Sequence, residues 1–368
     1  MDEKYHIPER FAFHPIFNGL VCGSNFGFLS KRGYYLTDEA KKQPELMKNI
    51  GINWTTLNIN FCQEQIFSRR LFRDFEYTSS EYEIFETVKR LHDNGIGVIL
   101  KPCLTCLDGG TMSQVFFPRA EHMKHIEGVS VNYWKDWFSS YQEGIRYFAD
   151  LADMSGCDSL MIGAEIICSE NMDEYWLSTA EVARQNYSGP ITYEFTPNSR
   201  IQHKLDWLET LDYLSYSYYP AAAPANVEPL LSHTNEGAKD TPDYTVEQMV
   251  EYLSACREDV DSIIKKYKKP ILFTEIGVRS AHGCIMQPTN YQWDSPYDGK
   301  QQADYMEAVF RTFKELDGWM GLLWWKWDET QRRPQYHGDS NGDRGFTIQG
   351  KPAEDVMRRW FKEFGGER

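Results

Sequence analysis

The feature that most constrains this chain is an eight-fold recurrence of one unit: a short apolar run, a few turn residues, then an amphipathic stretch. The apolar runs fall at residues 19–28, 54–61, 97–104, 160–167, 191–195, 213–219, 271–276 and 320–327. Helical periodicity follows them at 37–49, 80–94, 133–154, 172–186, a short stretch at 203–209, then 246–267, 301–316 and a closing 353–364. Strands that read as continuous apolar runs are buried on both faces, and their strict alternation with helices is the pattern of a parallel sheet. An open doubly wound sheet would carry a glycine-rich phosphate loop after its first strand. Gly23-Ser24-Asn25-Phe26-Gly27 matches neither the dinucleotide nor the Walker pattern. Eight units in 368 residues, with no linker or low-complexity tract, predict a single-domain α/β fold over residues 1–368, a (β/α)8 TIM barrel. In such a barrel, chemistry gathers where strands end and loops begin.

Charge narrows the partners. Against 54 acidic residues stand 39 Lys and Arg, a net charge of −15. Such a surface repels phosphate backbones and anionic lipids, and no run approaches the ~18 uncharged apolar residues of a membrane helix. Neither nucleic acid nor membrane is expected as a partner. The eight cysteines are scattered through a large chain, which is free-thiol usage, and residues 1–6 lack the basic and apolar regions of a secretory signal. The expected location is cytoplasmic, or secreted if a signal segment has been removed.

Two carboxylates stand at strand ends. Glu165 closes the fourth run and Glu275 sits in the seventh, each behind four apolar or small residues. A charge in that position is poorly solvated unless it faces the barrel mouth, and strands four and seven lie across the mouth from each other. Two converging carboxyls, one ionised and one kept protonated by its surroundings, suit cleavage of a glycosidic bond. The plainer alternative is that either Glu simply pairs with a Lys or Arg.

Aromatic residues make up 15% of the chain, with 11 Trp and 22 Tyr, and such rings either fill cores or stack on sugars. In Trp324-Trp325-Lys326-Trp327-Asp328, two-residue alternation places Trp325 and Trp327 on the face shared by Gly321 and Leu323, so this pair is expected at the mouth. Tyr218 or Tyr219 is positioned to hydrogen-bond a carboxylate, with Tyr218 taken as the candidate, and Trp293 is a candidate subsite wall. Lys101, at the end of strand three, is expected to contact sugar hydroxyls. A desolvated Schiff-base lysine is the competing role, and nearby acids that keep the amine charged oppose it.

Two metal-like patterns are weaker. Cys103-x-x-Cys106 with His122-x-x-His125 approximates a zinc spacing, but the histidine gap is too short. Asp339-Ser340-Asn341-Gly342-Asp343 has alternating oxygens, yet Arg344 stands where a calcium loop needs Gly, and Gly350 where it needs Glu. No metal or cofactor is expected.

A family resemblance rests on Gly163-Ala164-Glu165, Ser188-Gly189-Pro190-Ile191-Thr192-Tyr193, Leu211-Asp212-Tyr213 running into Tyr218-Tyr219-Pro220, and residues Lys269 to Ser280 followed by the Trp-rich eighth strand. These resemble glycoside hydrolase family 113, a member of the clan of retaining barrel glycosidases known best for β-1,4-mannan cleavage. The resemblance implies a poly- or oligosaccharide substrate, Glu165 as general acid/base and Glu275 as nucleophile; Lys101-Pro102 also fits it. Three positions depart from the pattern. Ala164 stands where the clan usually has Asn, Cys103 where the family tends to have His, and Thr196-Pro197-Asn198 where a polar and aromatic pair is usual. Another sugar of the same clan (glucan, xylan or galactoside) and a barrel that binds carbohydrate without cleaving it are the alternatives.

Overall fold

The structure, a computed structural model, describes residues 19–117, 132–199, 201, 205–224, 242–291, 295–327 and 342–365. Eight parallel strands close on themselves in chain order: β1 (Val21–Phe26), β2 (Trp54–Gln63), β3 (Gly97–Cys106), β4 (Ser159–Ala164), β5 (Ile191–Phe195), β6 (Leu214–Ser217), β7 (Ile271–Ile276) and β8 (Trp319–Trp324). Closure is direct. Val21 pairs with Gly321 and Ser24 with Trp324, so β1 and β8 share a ladder like any other neighbours. Among the described residues the strands are accompanied by seven α-helices: α1 (Asp38–Ile50), α2 (Glu81–Asp93), α3 (Tyr133–Ser155), α4 (Asp173–Asn186), α5 (Val246–Tyr267), α6 (Gly299–Phe313) and α7 (Ala353–Phe364). Between β5 and β6 a 3-10 stretch, Asp206–Thr210, stands where the sequence predicts a short helix. Among the described residues no helix is long and apolar enough to cross a membrane.

Local chemistry starts these helices where the sequence suggests. Ser80 and Glu83 form a reciprocal capping box at α2, Thr245 and Gln248 another at α5, and Thr37 accepts the Ala40 amide at α1. Gly51 and Gly156 take left-handed backbone just past α1 and α3.

The apolar core divides in two. Val21, Trp54, Ile99, Met161, Leu272 and Leu323, from six strands, belong to a cluster that plugs the barrel interior. A larger cluster fills the layer between strands and helices, and here most of the aromatic excess resides. Trp137, Trp176, Trp207, Trp324 and Trp327 are fully buried there. On α3, Trp137 stacks on Tyr141 at 4.7 Å, and Phe138 stacks on Tyr175 of α4 at 4.6 Å.

Above the plug the inward positions turn polar. Period-two alternation carries Ile99 to Lys101 and Cys103 on β3, Thr192 to Glu194 on β5, and Tyr213 to Ser215 and Ser217 on β6. Asn25 donates to the Thr274 carbonyl at 2.9 Å, and Thr192 to Ser215 Oγ at 3.0 Å, so this layer is tied across strands. Parity resets in β8. Gly321 adopts φ +122°, and a Cβ there would lie 2.2 Å from the Val21 carbonyl oxygen. Only glycine fits that seam without displacing β1. Gly321→Ala is therefore expected to lower unfolding stability by roughly 2–3 kcal/mol, read from denaturant melts, through strain at the closing pair.

Candidate active site

Glu165 follows β4 directly and takes φ +54°, a left-handed backbone that non-glycine residues rarely adopt. That turn is held from β5: the Glu165 N–H donates to the Glu194 carbonyl at 2.9 Å, and the Ile166 N–H to Tyr193 Oη at 2.9 Å. Glu275 stays within β7, with its carboxyl directed to the same mouth. One carboxyl oxygen from each of Glu165, Glu194 and Glu275 lies within 4.8 Å of the others.

The third acid, Glu194, carries no prior expectation, although a signal for it exists. In Ile191-Thr192-Tyr193-Glu194-Phe195, Tyr193 and Phe195 pack on Trp207 at 5.1 and 5.7 Å in the helix layer, which leaves Thr192 and Glu194 facing inward. Glu194 is fully buried. Its Oε1 accepts from Lys101 Nζ at 2.6 Å and its Oε2 from Thr274 Oγ1 at 2.6 Å.

Lys101 is 1% exposed. Its ammonium donates to Glu194 Oε1 and to Glu275 Oε1 and sits beneath the mouth rather than on its wall. The expectation that it touches sugar hydroxyls is corrected: the stem is fully used in reaching two acids inside the barrel. Burial would lower the Lys101 pKa, but the charges of Glu194 and Glu275 outweigh it and raise the pKa above the ordinary value. An amine held charged in this way is no Schiff-base nucleophile.

Tyr219, not Tyr218, meets the carboxylate. Tyr219 Oη donates to Glu275 Oε2 at 3.2 Å, and Ser217 Oγ lies 3.5 Å from the same oxygen. Tyr218 faces the helix layer, stacked on Tyr216 at 4.7 Å. The reason is parity, since Tyr213, Ser215, Ser217 and Tyr219 share the inward face. Trp327 is corrected likewise. It is fully buried and donates from Nε1 to Gln43 of α1 at 2.8 Å. The β8 ladder ends at Trp324, so two-residue alternation does not extend to Trp327. Trp325 does line the mouth, and the Trp325–Lys326 peptide is cis. Trp293 lies outside the described residues.

The mouth encloses a cavity of about 770 Å³ that contains Glu165 and Glu275 and is walled by Phe28, Trp325, Lys326, Asn198 and Tyr291 among others. Phe28 meets Trp325 edge-on at 4.6 Å. The size and the mixture of rings and amides suit a small polar ligand with apolar faces. Thr196-Pro197-Asn198 lies in this wall, and Cys103 lies beside Lys101, its thiol donating to Asn58 Oδ1 at 3.2 Å.

Environment separates the two mouth acids. Burial and the neighbouring Glu275 charge push Glu165 up to about 7, while Lys101 lies directly against Glu275 alone of the pair. An acid that keeps its proton near neutrality thus faces a carboxylate beside a cation.

Other motifs resolve more simply. Cys106 accepts from Gln63 at 3.4 Å, and His122 and His125 lie outside the described residues. Asp343, the last oxygen of the calcium-like run, accepts the Gly345 amide at 2.8 Å and lies 3.8 Å from Lys351 Nζ. Three clustered carboxyls have a spacing that a cation bridges, and the Lys101 ammonium already stands against two of them.

Comparison with known proteins now decides the family. The sequence model of glycoside hydrolase family 113 matches residues 24–351. The chain belongs to glycoside hydrolase family 113. No curated protein sequence matches it. Among solved structures, it is similar to the family 113 β-mannanase AaManA from Alicyclobacillus acidocaldarius, solved with ManMIm, at 24% identity and a TM-score of 0.76, covering 95% of this chain and 99% of that one. A family 113 β-1,4-mannanase solved as a complex matches at 22% identity and 0.74, covering 93% and 99%. More distantly, a family 5 mannosidase from Rhizomucor miehei matches at 12% and 0.55, covering 93% and 92%. This glycoside hydrolase thus shares its barrel with those structures from end to end.

Keeping Glu165 protonated has a cost in stability with a definite sign. Its folded pKa lies above the unfolded value, so between about pH 4.5 and 7 the unfolded chain binds fewer protons and stability falls as pH rises. Glu165→Gln removes that penalty. Chemical denaturation is expected to show no gain for the variant at pH 4 and a gain of roughly 2–3 kcal/mol at pH 8.

Proposed function

We propose that this family 113 glycoside hydrolase cleaves β-1,4-mannan or manno-oligosaccharides with retention of configuration, Glu275 acting as nucleophile and Glu165 as general acid/base. The observation that carries the mechanism is the proximity of two carboxyl groups in unlike surroundings. One oxygen of each lies within 4.8 Å of the other, which fits the ~5–5.5 Å carboxyl separation of retaining enzymes better than the ~6.5–9.5 Å that admits a water in inverting ones.

In the first step a Glu275 oxygen bonds to the anomeric carbon. The glycosidic C–O bond breaks with its electron pair passing to the leaving oxygen, and that oxygen takes the Glu165 proton. In the second step water, deprotonated by Glu165, attacks the same carbon and releases the Glu275 carboxylate. Tyr219 donates to the Glu275 oxygen that Lys101 does not take, and Ser217 lies close to the same oxygen. Trp325, braced by Phe28, offers an apolar ring to a sugar face.

Two of the solved structures most like this chain are described as β-mannanases of the same family, which supports mannan as the substrate. Ala164, Cys103 and Asn198 change positions at or near the sugar, so the test includes neighbouring substrates. Product analysis over mannan, glucan, xylan and galactan, with matched oligosaccharides, is expected to show manno-oligosaccharides from mannan alone. Preference for another polymer would overturn the sugar assignment while leaving the mechanism.

Glu275→Ala is expected to abolish turnover while the protein still folds. Glu165→Ala is expected to lose about 10²–10⁴-fold on oligosaccharides and far less on aryl glycosides whose leaving groups need no proton. Equal losses on both substrates would remove Glu165 from the acid/base role.

A further inference from the structure

The buried ammonium under the mouth has more acids around it than a nucleophile requires. Lys101 is enclosed on β3, Glu194 on β5 accepts from it at 2.6 Å, and Glu275 on β7 shares it. Glu194 is the more deeply buried acid, and Thr274 fixes its second oxygen at 2.6 Å. Burial and the Glu275 charge raise the Glu194 pKa while Lys101 lowers it, and the contacts decide between them: both Glu194 oxygens accept, one from an ammonium and one from a hydroxyl, an arrangement that suits a carboxylate. Glu194 touches no wall of the 770 Å³ cavity, so substrate does not explain it.

We propose that Glu194 is the standing counter-ion of Lys101, a positioning residue that lets one buried cation serve Glu275 before and after that carboxylate is consumed. The inference rests on the assignment of Glu275 as nucleophile and Glu165 as acid/base. Before reaction, Lys101 balances one of its two carboxylates. When Glu275 becomes a glycosyl ester its charge disappears, and a lysine held by Glu275 alone would be left as an unpaired buried cation, which is strongly unfavourable. With Glu194 in place the ammonium keeps a partner throughout. Over the same step Glu165 gives up its proton and gains a charge, so the net charge of the four groups does not change. Glu194 also divides the pull of Lys101, which leaves more electron density on Glu275 than an exclusive ion pair would.

Charged and titratable groups around Glu165 come from several strand ends: Lys101 and Cys103 on β3, Glu170 after β4, Glu194 on β5, Tyr219 after β6, Glu275 on β7 and Lys326 after β8. Removing one member of the pair shifts this field in a direction set by its sign. The Glu165 titration is read by ¹³C NMR of carboxyl-labelled protein, assigned with Glu165→Gln, and needs no turnover. With Glu194→Gln the Glu165 midpoint is expected to fall by about one pH unit, because a nearby negative charge is lost. With Lys101→Met it is expected to rise by about one unit. The alkaline limb of kcat/KM on an oligosaccharide, whose leaving group needs the Glu165 proton, should follow each midpoint.

Glu194→Gln leaving the midpoint in place while lowering the melting temperature would overturn the proposal and make Glu194 a packing residue. The conservative amide keeps the shape, so this variant decides the matter even if Lys101→Met does not fold. A wild-type enzyme that hydrolyses none of the sugars would sink the hydrolysis reading, while the NMR midpoints would still judge the pair.

Discussion

A lysine ammonium inside a β-barrel has to be neutralised by groups from other strands, because no water reaches it. Lys101 meets that demand with Glu194 and Glu275, which are 93 and 174 residues distant in the chain. The three groups belong to β3, β5 and β7, and they meet only if the barrel closes with the register that places all three above the apolar plug. Closure and charge pairing are thus one constraint seen from two sides. Slippage of any of these strands by one residue would turn its charge toward the helix layer and leave the others uncompensated. The polar contacts nearby, Asn25 to the Thr274 carbonyl and Thr192 to Ser215, hold the same register with ordinary hydrogen bonds.

From that buried pair the asymmetry of the mouth follows. Glu275 shares the cation directly, whereas Glu165 stands one strand end away on a backbone turn that β5 stabilises. The left-handed conformation of Glu165 aims its carboxyl into the cavity beside Glu275 rather than along the strand. Burial and the Glu275 charge then keep the proton on Glu165, with Lys101 opposing them more weakly. The arrangement destabilises the fold at neutral pH for the sake of the site, as strained or misfit groups at functional positions commonly do.

The strands were legible because a parallel barrel buries both faces of each, which writes continuous apolar runs into the sequence. Glu165 and Glu275 were legible because a charge after such a run has few places to go. Tyr219 could have been chosen over Tyr218 by counting inward from Tyr213, and Glu194 could have been found by noting that Tyr193 and Phe195 leave it the inner face. Lys101 could be placed inward by the same count, but the direction its long stem takes depends on acids brought from distant strands. The family pattern located the reaction and left this wiring unread.

Aromatic composition was the least transferable clue, and strand eight shows why. The ladder stops at Trp324, and alternation carried past that point assigns Trp327 to the wrong side. Three tryptophans within four residues consequently do three different things: Trp324 donates to the Phe346 carbonyl in the helix layer, Trp325 walls the cavity, and Trp327 pins the loop to Gln43 of α1. The two buried rings fix the backbone on either side of the one at the mouth. A sugar-facing ring needs such bracing, since stacking gains little from a side chain that must first be ordered. The tryptophan cluster is therefore better understood as one ligand-facing ring with its supports than as a row of equivalent platforms.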